Sequence, residues 1–150
     1  MIGKDIFDIL RNNASVFGIV GTRIFPNNAG EATMPLCVYE LDNLNILSTY
    51  DNGRMNDCDI ELRVACFSET YLQCQELAAS VIECLDHYVG GRIYGAFFVS
   101  TNEQNIVDAE LDDISYYVNE VTFRVFFTPV IEEITTDEIV SEIQTTTSET

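Results

Sequence analysis

Three carboxylates are spaced so that one face of a β-strand could present them together: Asp57, Asp59 and Glu61. Alternate residues of a strand point to the same side, so this spacing could gather oxygen ligands for a divalent cation. Carboxylates along one strand nevertheless lie about 6–7 Å apart and converge on a point only with ligands from other elements. We therefore expect a solvated acidic strand face rather than a metal site.

A second acidic cluster follows later in the chain and comprises Asp108, Glu110, Asp112 and Asp113. Its members are close together in sequence, as in a polar loop, and no second set of ligands accompanies them. We expect a loop here and predict no metal ligand in either cluster.

The nucleophilic side chains form no recognisable catalytic pattern. His87 is the only histidine, and no serine or cysteine forms a sequence motif with it. The five cysteines contain no CxxC pair and do not have the spacing of a zinc framework: Cys37, Cys58, Cys66, Cys74 and Cys84. Free cysteine commonly behaves as a small buried hydrophobe in a reducing compartment, so we expect structural thiols. The sequence predicts no enzyme activity and no cofactor.

Charge limits the partners of this chain. Its 150 residues, which suit one domain, include 25 acidic and 7 basic side chains and carry a formal net charge of −18. Such a surface repels the phosphate backbone that nucleic-acid-binding proteins hold with Lys and Arg. No apolar run approaches the ~20 residues needed to cross a bilayer, and no signal peptide is recognisable, so we expect a cytoplasmic product without membrane contact.

Hydrophobic periodicity predicts the elements that position these side chains. Residues 2–12 have the spacing of an amphipathic helix, and residues 35–41 have the composition of a strand. The alternation around 57–67 predicts a half-buried strand whose inward residues are Cys58, Ile60, Leu62, Val64 and Cys66. An apolar stripe predicts one long helix over about 68–89, stopped by two glycines.

The second half of the chain reads as strands. Residues 92–100 and 104–111 predict two strands around a turn at 101–103, and 115–128 predicts the longest strand. Because no βαβ repeat is visible, we expect an α+β fold: a mainly antiparallel sheet with an N-terminal helix and the long helix packed on it.

The composition changes after Thr128. Residues 129–150 contain six carboxylates and no basic side chain. We therefore divide the chain into a domain over 1–128 and an acidic extension over 129–150, which we expect to act as an arm on a neighbouring subunit or partner.

An ordered set of motifs follows the N-terminal helix: Gly21-x-Arg23-Ile24-Phe25-Pro26, Met34-Pro35-Leu36-x-Val38-Tyr39, the alternating strand ending at Phe67, a helix with Tyr71, Leu77-Ala78 and Leu85-Asp86, and Phe123-Arg124-Val125-Phe126. This set resembles the tail completion (tail terminator, or tail-to-head joining) proteins of tailed bacteriophages. The set covers roughly residues 1–128. The acidic extension and the segment 101–114 depart from the family pattern.

The resemblance implies a non-enzymatic virion protein, made in the bacterial cytoplasm, that forms a ring at the head–tail junction. A hexamer is favoured and a dodecamer is the alternative, with portal or head-completion proteins on one side and tail tube or hub proteins on the other. Genomic DNA would pass through without specific binding. We expect the acidic residues named above to face the lumen, and the loop with Asn27, Asn28, Glu31 and Met34 to contact the adjacent subunit.

Two other classes of function remain open at this stage. The first is a non-virion adaptor or regulatory module that binds a basic protein. The second, less favoured, is a metal-dependent hydrolase that uses the acidic clusters.

Overall fold

In a computed structural model, the described residues of this protein form a five-stranded sheet with three short helices on one face. The structure describes residues 2–30, 32–47, 57–108 and 113–128. The elements, in chain order, are α1 (Ile2–Asn12), α2 (Ala14–Val20), β1 (Ile24–Pro26), β2 (Leu36–Leu47), β3 (Asp57–Ser68), α3 (Tyr71–Leu85), β4 (Ile93–Asp108) and β5 (Asp113–Phe127).

The predicted fold class is wrong. The described part of the chain is mostly β-sheet, the sheet is mixed rather than antiparallel, and it carries three short helices instead of an N-terminal helix and one long one. Of these helices α3 has 15 residues, which is well short of the predicted 68–89.

Capping residues explain why α3 is short. Thr70 has an extended backbone (φ −122°, ψ 145°), and its side chain accepts a hydrogen bond from the Gln73 amide, so the helix begins at Tyr71 rather than at residue 68. At the other end Asp86 is extended again and His87 has a positive φ of 65°. The helix therefore ends before the glycines that the sequence pattern suggested as its stop.

The sheet has the order β1-β2-β3-β5-β4, and β1 pairs with β2 in parallel while the other neighbours are antiparallel. A parallel connection normally needs a dozen or more residues. Because β1 has only three residues, the chain has to return only about 10 Å, and the connection 27–35 spans that distance without a helix.

A single strand replaces the two that were predicted around residues 101–103. β4 runs for 16 residues from Ile93 to Asp108 and pairs with β5 along its length. The polar run in its middle does not break it, because β4 is an edge strand and side chains there need not be apolar.

The helices cover one face of the sheet and form the core with it. The predicted inward residues of β3 are all buried, as are Val121, Phe123 and Val125 of β5. Ile6, Leu10, Val16, Leu77, Val81 and Leu85 of the three helices join them in one cluster. The alternation predicted for β3 is thereby confirmed, and the opposite face of the sheet has no helix on it within the described residues.

Candidate assembly surface

A groove of about 600 Å³ lies between the loop 27–34 and the face of the sheet opposite the helices. Its floor includes the outward residues of four strands: Leu36 and Val38 of β2, Ala65 and Phe67 of β3, Gln104 and Ile106 of β4, and Tyr116 and Val118 of β5. Leu36 and Val38 are only 4% and 8% exposed although none of the described helices covers this face. Concave, largely apolar surfaces of this kind are common binding sites.

Hydrogen bonds fix the loop against the sheet edge. Asn27 has a positive φ of 64°, which asparagine tolerates better than most residues, and its amide donates to Tyr39 O at 2.9 Å. Asn28 Oδ1 accepts from the Gly30 amide at 2.9 Å, and Arg23 Nε donates to Pro35 O at 2.8 Å. The loop is therefore a shaped wall of the groove.

Three of the four residues predicted to contact an adjacent subunit line this groove, namely Asn27, Asn28 and Met34. Glu31 lies outside the described residues. The structure brings the three together on one surface, and their role as a subunit contact stays a prediction.

One arginine at the border of the groove holds four carboxylates. Arg63 lies 2.8 Å from Glu61, 3.1 Å from Glu40, 3.4 Å from Asp42 and 3.9 Å from Glu120, measured between guanidinium nitrogens and carboxylate oxygens. Hydrogen bonds with Glu40 and Glu61 raise the pKa of the arginine further above its usual range. Hydrogen bonds from Asn43 and Arg63 lower the pKa of Glu61. One positive charge among four negative ones leaves an acidic surface.

Asp59 differs from the solvated carboxylate that the sequence suggested. The residue is only 7% exposed, and its Oδ2 accepts from Arg124 Nη1 at 2.8 Å. Arg124 belongs to β5, and its position opposite Glu61 in the ladder places it beside Asp59 on the same face of the sheet. The predicted lumen-facing carboxylates Asp59 and Glu61 are therefore both ion-paired, whereas Asp57 is described only as a strand position at the start of β3.

The second acidic cluster does not form a described site. Asp108 and Asp113 face each other as the last pair of the β4–β5 ladder. Glu110 and Asp112 lie outside the described residues. Whether either cluster faces a lumen stays a prediction.

The thiols are structural, as predicted. None of the five cysteines, all of which lie in the described part of the chain, forms a disulfide; four are buried, and Cys84 is half-buried. A hydrogen bond with Cys37 and burial raise the pKa of Cys66, and burial raises the pKa of Cys74 and of Cys84 to about 11. Thiols with such pKa values are protonated near neutral pH and are poor nucleophiles.

Among the described residues, no group of three or more His, Cys, Asp or Glu side chains is placed to hold a metal ion. None of the helices described here is long and apolar enough to cross a membrane.

Sequence reasoning missed two functional candidates. One is Arg63. The alternating pattern of its strand indicated that it lies on a polar face, but it did not indicate that three strands bring carboxylates to it. The other is Asn119, an inward-facing residue of β5 that is 3% exposed. A lone asparagine at an apolar position of the alternating pattern was the available signal for it.

Comparisons with known proteins show the fold. No protein-family model matches the sequence, and no curated protein matches it. Among solved structures, the chain is similar to a chain of a structure titled "Virion of native gene transfer agent (GTA) particle", with a TM-score of 0.60 and 15% sequence identity. The match covers 82% of this chain and 91% of that chain. The two chains share a fold over most of their lengths.

Proposed function

We propose that this protein is a structural component of a phage-like virion and forms a closed ring at the head–tail junction. The observation that carries the proposal is the fold shared with a chain of a gene transfer agent virion over most of both chains. The ordered motifs from Gly21 to Phe126 support the finer assignment to the tail completion class, because they were found independently of that fold.

The groove beside loop 27–34 is the subunit contact in this proposal. A closed ring needs a heterologous interface, in which one surface of a subunit binds a different surface of the next. A preformed groove with an apolar floor suits the receiving side, and Asn27, Asn28, Glu31 and Met34 are the proposed contact residues. We favour a hexamer, with a dodecamer as the alternative.

The open face of the sheet is the proposed conduit surface. Among the described residues, Glu40, Asp42, Asp59, Glu61 and Glu120 lie on it with Arg63 and Arg124 as their ion-pair partners, an excess of three negative charges. A surface of like charge prevents DNA from adhering as it passes. Asp57, Asp108, Glu110, Asp112 and Asp113 would extend this acidic lining.

Residues 129–150 are the proposed arm. In the sequence they follow Thr128, whose amide donates to Arg92 O at 2.9 Å beside the start of β4. Their six carboxylates suit a basic surface on a portal, head-completion or tail protein. The role is a non-enzymatic one in the virion, following synthesis in the host cytoplasm.

A matched pair of variants tests the ring. Met34→Glu places a charge in the groove, whereas Thr33→Glu adds the same charge to an exposed position of the same loop that does not line it. Native mass spectrometry and negative-stain microscopy of the purified proteins should show rings for the parent chain and Thr33→Glu, and monomers for Met34→Glu. Rings from both variants would refute the groove as the contact, and monomers from the parent at all concentrations would refute self-assembly.

A further inference from the structure

The outer edge of β4 is covered in its first half only. The His87 amide donates to Ala96 O at 2.6 Å, and the Phe98 amide donates to Asp86 Oδ1 at 2.9 Å. Gly90 and Ile93 exchange two further backbone hydrogen bonds at 2.9 Å. The segment after α3 therefore satisfies this edge as far as Phe98.

Beyond Phe98 the edge is open. Ala96 and Phe98, whose backbone groups face outward, stand opposite Val125 and Phe123 of β5. A bulge between Phe98 and Ser100 shifts the register by one residue, so the outward-facing set becomes Thr101, Glu103 and Asn105, opposite Val121, Asn119 and Tyr117. No described residue pairs with this edge.

The open edge has few of the features that protect edge strands. Residues 101–105 are all exposed and contain no lysine, arginine or proline. The residue before the bulge and the bulged residue are apolar: Phe98 is 39% exposed and Val99 is 57% exposed. An edge of this kind is a template for an added strand.

A pocket of about 190 Å³ opens beside this edge on the helix side of the sheet. Its walls are Tyr71, Cys74 and Gln75 of α3, Glu103, Gln104 and Asn105 of β4, and Tyr117, Val118 and Asn119 of β5. Glu103 and Asn119 are cross-strand neighbours, so the rim and the floor of the pocket are set by one rung of the ladder. A strand added at the edge would present alternate side chains to this pocket.

Two polar groups of the pocket are acceptors and suit a ligand that donates hydrogen bonds. Asn119 Oδ1 is buried without a hydrogen-bond partner among the described residues. Glu103 supplies a carboxylate at the rim, where its Oε2 accepts from Gln75 Nε2 at 2.7 Å. The rings of Tyr71 and Tyr117 stand edge to face at 5.7 Å, and no basic residue lines the pocket. A cationic side chain fits two oxygen acceptors between aromatic walls.

The start of α3 disfavours a cation in this pocket only weakly. Its positive dipole end borders the pocket, but Thr70 Oγ1 accepts from the Gln73 amide at 3.3 Å. Ser68 Oγ accepts from the Thr70 amide at 3.2 Å. Two of the amides at this end are thus already partnered, and the carboxylate of Glu103 is the only formal charge among the lining residues.

We propose that residues 101–105 of β4 pair with an extended segment of a different protein and that a lysine or arginine of that segment enters the pocket. The chain itself is a poor source of the segment. It carries 25 acidic and 7 basic residues, and residues 129–150 contain no basic side chain. This binding site goes beyond the proposed ring and does not require it.

The probe is a blocked nine-residue peptide that alternates threonine and valine around a central lysine, labelled with a fluorophore. Anisotropy with the full chain should give a Kd below about 1 mM, and replacing the central lysine by norleucine should weaken binding about tenfold. Hydrogen exchange should show protection of residues 99–106. No saturable binding below about 1 mM, equal affinity of the two peptides, or protection elsewhere would overturn the proposal.

N-methylated peptides test whether the peptide pairs with β4 through its backbone. N-methylation of the peptide at alternate residues on one edge should abolish binding, whereas N-methylation on the other edge should be tolerated. Equal effects of the two patterns would overturn strand addition.

Two variants separate the pocket from the fold. Glu103→Gln keeps a side chain that can bond Gln75 and should weaken the lysine peptide about fivefold without changing the norleucine peptide. Asn119→Leu should weaken the lysine peptide about tenfold while the protein unfolds at no lower urea concentration. Unchanged affinities would overturn the role of the pocket.

The same samples distinguish association of two copies through their β4 edges from ring formation. If copies associate through β4 edges, the free protein already protects residues 99–106 and the peptide competes with oligomerisation, which would overturn the assignment to a different protein. Rings that persist with bound peptide leave the proposed function intact. Peptide binding by a protein that forms no ring leaves the edge proposal intact.

Discussion

The two faces of the sheet use the same strands in opposite ways. On the helix side, the alternate residues from Cys58 to Cys66 of β3 and from Val121 to Phe127 of β5 are apolar and buried with α1, α2 and α3. On the open side, outward residues of β2, β3 and β5 carry Arg63, Arg124 and five carboxylates beside the groove. The covered face holds the fold together, while the open face carries the features that suit assembly.

The largest effect should come from the covered face. Phe123→Ala removes a fully buried aromatic ring and should lower the free energy of unfolding by about 4 kcal/mol. Its neighbour Thr122 points to the open face, and Thr122→Ala should change the same quantity by less than about 0.5 kcal/mol. Urea unfolding at one protein concentration measures both. Similar losses in the two variants would contradict the division of labour between the faces.

A smaller effect is expected where the open face buries a charge. Arg124→Met leaves the carboxylate of Asp59 buried and unpaired, and we expect a loss of about 2 kcal/mol because Arg124 itself is partly exposed. Adding Asp59→Asn should recover about half of this loss, which a double-mutant cycle by urea unfolding measures. Additive losses would show that the two side chains do not interact.

Asn119, a polar residue on the covered face, should make the parent protein less stable than a variant with an apolar side chain there. Asn119→Leu removes a buried oxygen that lacks a partner and should raise the free energy of unfolding by about 1 kcal/mol. Asn102→Leu, at an exposed position on the opposite face of β4, is the control and should have no measurable effect. A lower free energy of unfolding for Asn119→Leu would mean that the side-chain amide of Asn119 has a hydrogen-bond partner in solution.

The smallest effect concerns pH and again belongs to the covered face. Burial raises the pKa of Cys74 and of Cys84 from 9.0 to about 11. Because the folded state favours the protonated thiol, this contribution to stability is present below pH 9 and is lost as the pH rises towards 11. The double variant Cys74→Ala, Cys84→Ala should therefore show a shallower fall of the unfolding midpoint between pH 9 and 11. If the unfolding midpoint of the double variant falls with pH as steeply as that of the parent, other groups cause the fall.

Local patterns predicted the parts of the fold that depend on local physics. The alternation of β3 identified its buried residues, because a strand between a helical layer and solvent must separate apolar from polar side chains. The end of α3 was missed because Asp86 leaves helical geometry before the glycines do. The parallel β1 was missed because three residues carry no period and their pairing depends on the path of the loop.

The candidate surfaces depended on tertiary structure to a greater degree. Loop 27–34 was named from the resemblance, whose motifs include the two prolines that flank it, Pro26 and Pro35. Arg63 acquires its importance only when β2, β3 and β5 bring carboxylates to it, and sequence spacing does not reveal cross-strand register. The open edge of β4 was hidden for the same reason, since residues 101–103 have the composition of a turn.

The central claim is that this chain is a ring-forming part of a virion. The most direct test is cryo-electron microscopy of purified particles from cells that produce the protein, combined with quantitative mass spectrometry of its copy number. The account predicts one ring of six copies, or of twelve, between head and tail, with loop 27–34 at the contact between subunits. Particles that lack the chain, or that carry it as isolated copies away from this junction, would contradict it.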